Sequence, residues 1–227
     1  MKQTIRSIQS LFFLLLLFFI CNNIFAQSKL GFGLIFGSNS PTIKTEDSFF
    51  QPKSQSGLVA GVSCQIRLMG SFYLQTGLQF LHKKANFTYP IRPNGFSSPS
   101  IDETTYWQYN YMEFPVLFKY KYSFKKYSPY IFIGPNFGLI NSYEVITKRG
   151  SQTIKKNKND LILAGLFSNE RILDISLDLG AGVEYHLKEK ITIFIYSQYL
   201  FGLSSIYKYS TWKWRNIRVT TGLYYNL

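Results

Sequence analysis

Tyr109–Tyr122, YNYMEFPVLFKYKY, and the run across a short link, Ser128–Leu139, SPYIFIGPNFGL, carry the pattern on which the fold turns. With period two, the first run places Met112, Phe114, Val116, Phe118 and Tyr120 on one face, and Tyr111, Glu113, Pro115, Leu117 and Lys119 on the other. The second separates Ile131, Ile133, Pro135, Phe137 and Leu139 from Tyr130, Phe132, Gly134, Asn136 and Gly138. An apolar face backed by one that mixes Gly, Glu and Lys is the alternation of a strand held between lipid and a polar lumen. A soluble sandwich gives the same alternation with its apolar face turned inward, so this pair alone leaves both folds open.

The neighbouring segments repeat the pattern. Lys29–Ser38 sets Leu30, Phe32, Leu34 and Phe36 against three glycines, Gly31, Gly33 and Gly37. Gly57–Leu68 and Ser71–Lys83 follow, around a turn at Met69–Gly70, with Arg67, Gln75, Gly77 and Gln79 among their inward residues. Arg171–Tyr185 alternates Ile175, Leu177, Leu179, Ala181, Val183 and Tyr185 with Asp174, Ser176, Asp178, Gly180, Gly182 and Glu184. Lys190–Gly202 and Trp214–Leu227 complete eight strands. Long polar connections at 39–56, 84–103, 141–170 and before Trp214 alternate with short links, as in an outer-membrane barrel with extracellular loops and periplasmic turns.

A soluble eight-stranded barrel such as a lipocalin would turn its apolar face inward. Here that would bury Arg67, Glu113, Lys119, Asp174, Asp178, Glu184 and Arg218 in an apolar core, at a prohibitive desolvation penalty. The expected fold is all-β, an eight-stranded antiparallel up-and-down transmembrane β-barrel spanning 27–227.

Targeting agrees. Lys2 and Arg6 precede the apolar run Leu11–Ile20, and Ala26 offers a small residue before Gln27, which predicts a signal peptide over 1–26. The apolar run is about half of the ~20 residues a spanning helix needs. Aromatics make up 18% of the chain and charges only 16%, a balance suited to a membrane barrel. The net charge of +13 would suggest nucleic acid in another compartment; on an exported chain it points to the phosphates of lipopolysaccharide. Past the signal peptide Cys64 stands alone, so neither an internal disulfide nor a cysteine metal site is expected. His82 and His186 fall near strand ends without a serine motif, so no enzyme activity and no cofactor is expected.

The last residues, Thr220-Thr221-Gly222-Leu223-Tyr224-Tyr225-Asn226-Leu227, fit the assembly signal of outer-membrane barrels, with Gly222, Tyr225 and Leu227 at its marked positions. They predict the barrel insertion machinery as a partner.

Tyr111-Met112-Glu113-Phe114-Pro115-Val116-Leu117-Phe118-Lys119-Tyr120 resembles the strand signature of the PorT-type outer-membrane β-barrel proteins. Pro129-Tyr130 with Gly134-Pro135, Gly180-Ala181-Gly182-Val183-Glu184-Tyr185, and Tyr199 with Gly202-Leu203-Ser204 are similar to that family's later strands. Gln198 departs from it, since relatives commonly place arginine there. The resemblance implies an eight-stranded barrel and, through the family's namesake, an accessory part in secretion of surface proteins.

The inward charges predict a lumen network that fills a barrel too narrow for more than side chains. The alternative use of such residues is a narrow path for small ions or solutes. In the loops, Phe49, Phe50, Phe87, Tyr89 and Phe96 and the basic stretch 148–158 read as an interfacial girdle with lysines on lipid phosphates, or as a surface for a partner protein or glycan. The expectation is a monomer of the outer membrane with a filled lumen, in contact with lipid, lipopolysaccharide and a secretion machine or surface protein.

Overall fold

The computed structural model describes residues 30–44, 53–91, 101–149, 152–157, 173–206 and 212–227. The expected signal peptide at 1–26, the loop aromatics Phe49, Phe50 and Phe96, and Lys158 lie outside these. The strands are β1 (Leu30–Lys44), β2 (Lys53–Gln55), β3 (Gly57–Met69), β4 (Phe72–Ile91), β5 (Ile101–Lys121), β6 (Tyr127–Arg149), β7 (Gln152–Asn157), β8 (Leu173–Lys188), β9 (Ile191–Gly202) and β10 (Lys213–Asn226).

Eight of them form a closed antiparallel ring in the order β1-β3-β4-β5-β6-β8-β9-β10, with β10 returning to β1. Closure removes the free edges that a sheet would otherwise expose. The first and last strands pair along their length, from Gly31 opposite Asn226 to Lys44 opposite Lys213. Leu227 N–H adds a bond to the Leu30 carbonyl. Short turns at one end include Gly70, whose φ of 54° is in the left-handed region that glycine tolerates.

The outer wall is apolar. Leu34, Phe36, Leu58, Phe80, Phe118, Ile131, Leu179, Ile195 and Ile217 are exposed around the ring, and their strand neighbours point inward. Cys64 is on this outer face, half-buried and unpaired.

Three of the expected long loops are shorter than their composition suggests. β1 continues through Pro41 to Lys44, β4 to Ile91, β5 starts at Ile101, and β6 runs to Arg149 before turning into β7. β2 and β7 pair with β4 and β6 above the ring. These segments escaped the reading because their outer faces meet water, which removes the apolar half of the alternation. What holds them is on the inside. Phe87, expected in a loop, is buried on β4 with its ring stacked on Trp212 at 5.7 Å and tilted against Trp107 at 5.4 Å.

Candidate functional site: the layered lumen

Read inward along β5, the side chains are Tyr109, Tyr111, Glu113, Leu117, Lys119 and Lys121, and all are buried. On β10 the inward order is Trp214, Asn216, Arg218, Thr220, Tyr224. β5 passes through an aromatic cap, a charged layer, an apolar belt and a second charged layer, and β10 supplies residues to the first three.

The cap lies toward the long connections. Ile43, Val59, Leu81, Ala85, Phe87, Tyr109, Tyr111, Ile140, Tyr143, Ile206 and Trp214 form one buried cluster. Tyr109 stacks on Tyr143 at 5.5 Å and takes the edge of Trp214 at 5.8 Å. Trp214 Nε1–H donates to the Tyr111 hydroxyl at 3.1 Å.

Beneath it is a layer with more acids than bases. Glu113 receives Lys83 Nζ at 3.1 Å on one oxygen and Arg218 Nη2 at 2.8 Å on the other. Lys83 also reaches Asp174 at 3.0 Å, and its ammonium lies 4.0 Å from the Tyr111 ring centre. Arg218 gives a further bond to Gln79 at 2.8 Å. Among the described residues Asp178 accepts from neutral groups: the Ser176 hydroxyl at 3.1 Å, Asn136 Nδ2 at 3.1 Å and Gln198 Nε2 at 3.2 Å. Gln198 thus meets Asp178 as a neutral donor.

The belt follows: Ile35, Leu117, Tyr130, Phe132, Phe194, Tyr196 and Tyr224. Phe194 stacks on Tyr224 at 4.6 Å and on Tyr196 at 5.8 Å. Inward glycines make room for these rings. A Cβ at Gly180 would collide with the Phe132 ring, and one at Gly222 with the Leu34 carbonyl and Phe194.

The lower layer has more bases than acids. Glu184 takes Lys119 at 3.3 Å and Lys121 at 2.7 Å. Lys121 also donates to Gln65 at 2.9 Å, and Lys119 lies 4.2 Å from the Tyr130 ring centre. Four acids (Glu113, Asp174, Asp178, Glu184) therefore meet four bases (Lys83, Arg218, Lys119, Lys121), three acids above the belt and one below it.

Of the residues singled out in the sequence, Glu113, Asp174, Asp178 and Arg218 come together above the belt, and Lys119 and Glu184 below it. Arg67 joins neither. It stands at the turn rim, Nε donating to the Gly70 carbonyl at 2.8 Å, and forms no ion pair among the described residues. Two partners were missed, Lys83 and Lys121. Each is an inward residue at the end of a clear alternation, and counting two places onward from Gln79–Leu81 and Leu117–Lys119 finds them.

Gly222 faces inward, whereas Tyr225 and Leu227 are exposed, with Lys190 Nζ 5.9 Å from the Tyr225 ring centre. His82 lies on the outer face, its ring bonded to Asn110. His186 sits near the turn end between Ser128 at 3.0 Å and Thr192 at 2.9 Å. This serine–histidine contact has a hydroxyl where a hydrolytic triad has a carboxylate, and Ser128 is buried. In the former basic loop, Arg149 pairs with Glu103 at 2.6 Å, Lys155 with Glu144 at 2.9 Å, and Lys148 lies over Tyr106.

Between the lower charged layer and the turns is a polar vestibule of about 550 Å³, lined by Gln65, Arg67, Tyr73, Lys121, Glu184 and His186 among others.

Among solved structures the chain is similar to the Neisserial surface protein NspA, at 13% identity over 86% of this chain and 97% of that one, with a TM-score of 0.42. OprG of Pseudomonas aeruginosa gives 14%, 88% and 94%, with a TM-score of 0.43. Ail, the attachment invasion locus protein of Yersinia pestis, gives 10%, 88% and 99%, with a TM-score of 0.36. No curated protein matches the sequence significantly. The profile of the family described as "Outer membrane protein beta-barrel domain" matches residues 25–208, most of the chain. With its closed eight-stranded ring and lipid-facing apolar wall, this chain belongs to the outer membrane protein beta-barrel domain family and is a protein of the Gram-negative outer membrane.

Proposed function

We propose that this barrel is a structural or interaction component of the outer membrane, and that its working surface is the set of strands carried past the membrane by β4, β5 and β6. The observation that carries the reading is the stopped lumen: an ion crossing the barrel would have to part the Tyr109–Tyr143–Trp214 cap and the Phe194–Tyr224 belt in turn. Paired charges of both signs also favour mutual neutralisation over an ion filter. A narrow channel, the alternative use of these residues, has no such support. Hydrolysis is disfavoured by the burial of Ser128 and by His186 turning its other ring nitrogen to the Thr192 hydroxyl.

The finer reading is an accessory role in protein secretion or surface assembly. It rests on the PorT-type resemblance of 111–120 and on the strand-paired extracellular extension that a larger machine would grip. Deleting the gene and quantifying periplasmic, surface and released proteins tests it. A defined set of exported proteins retained in the periplasm is the expected result; unchanged export would remove the secretion role. Planar-bilayer recording on the purified barrel tests the closed lumen, and resolved conductance steps would overturn it.

A further inference from the structure

At the extracellular end of the seam where the barrel closes, two lysines face each other. Lys44 on β1 is directly opposite Lys213 on β10, and Thr42 is opposite Arg215. Between them Ile43 and Trp214 are buried in the cap, so the alternation turns Lys44, Thr42, Lys213 and Arg215 to the outer wall. Directly opposed residues of an antiparallel pair have Cβ atoms about 4.5–5.5 Å apart, and like charges there repel. Neither lysine has an acidic partner among the described residues. Arg215 spends one N–H on the Gly202 carbonyl at 2.9 Å and lies 5.0 Å from the Phe201 ring centre.

Toward the membrane the β10 and β9 side of this wall is apolar, with Ile217, Val219 and Phe201 exposed, while β1 sets Ser40 and Ser38 outward before Phe36. A cationic trio above an apolar wall matches an amphiphile with an anionic head and acyl chains. The long connections place this end at the outer leaflet, where lipopolysaccharide presents phosphates. We propose that Lys44, Lys213 and Arg215 form a binding site for a phosphate group of a phosphorylated glycolipid of the outer leaflet, with Thr42 as a further donor. The phosphate bridges the two opposed ammoniums and takes charge-assisted bonds from the guanidinium. The lipid thereby clamps the β1–β10 closure.

The test uses the purified barrel in neutral detergent micelles, titrated with diphosphoryl lipid A or with its fully dephosphorylated form. Retention is read by native mass spectrometry and stability by the thermal unfolding midpoint. The wild type is expected to retain the phosphorylated lipid and unfold at a higher temperature with it, and to do neither with the dephosphorylated form. Lys44→Gln/Lys213→Gln is expected to weaken retention at least tenfold, while its lipid-free midpoint equals or exceeds that of the wild type because the repulsion is gone. Arg215→Gln alone should weaken retention severalfold, and Lys156→Gln, on β7 across the ring beside β6, should leave it unchanged. Equal retention of the two lipids, or equal retention by wild type and double variant, would overturn the proposal.

Discussion

Glu113 touches both cations of its layer, so its loss leaves two buried charges exposed to repulsion at once. Removing one partner of a buried pair costs about 3–5 kcal/mol, because the other charge remains without compensation. Glu113→Gln and Arg218→Ala are each expected to destabilise the folded barrel on that scale, read as a drop in the urea midpoint in micelles. Arg67→Gln should change it little, since Arg67 is on a solvated rim and caps only its own turn. If Arg67→Gln matched Arg218→Ala, the separation of rim from lumen would be wrong. Glu113 and Arg218 were legible as inward residues. That the two would meet, 105 positions apart, was not, because alternation fixes a side chain's face and says nothing of its depth or its partner across the ring.

Within single strands, the inner and outer faces follow different rules. Leu34 is two-thirds exposed near the middle of the apolar run of β1. Arginine at the midplane of a barrel's lipid face costs roughly 2–4 kcal/mol. Leu34→Arg is expected to lose about that much, measured by equilibrium unfolding in lipid vesicles. A neutral outcome would mean that this face does not meet hydrocarbon. On the inner face, Gly180→Val would drive a side chain into the Phe132 ring. Overpacking of this kind costs about 1–3 kcal/mol, and the folded, heat-modifiable form should decline on gels. Membrane strands were readable because lipid on one side sharpens the alternation. The upper parts of β4, β5 and β6 were read as loops, since prolines and lysines on a water-facing wall leave no apolar outer row.

For the whole molecule, the cap and the extension stand together. The β4–β5 ladder continues from Lys84 opposite Gln108 to Ile91 opposite Ile101, above the membrane band. Amides of Ala85, Phe87, Trp107 and Tyr109 are therefore expected to exchange slowly with solvent deuterium, at rates close to those of the transmembrane ladder. Exchange within seconds would show that the extension is not an ordered part of the barrel.

From its own letters the chain determined eight strands, their inner and outer faces, the membrane that surrounds them and most of the charges that line the lumen. Those follow from period-two alternation and from the penalty of placing ions in hydrocarbon, both local along the chain. Only the tertiary structure decided that the acids gather above the aromatic belt and the surplus bases below it. It alone closed the lumen twice with rings from distant strands and brought Lys44 against Lys213. Depth, pairing and closure depend on the stagger between strands, which is set when the first meets the last and all eight must share one interior.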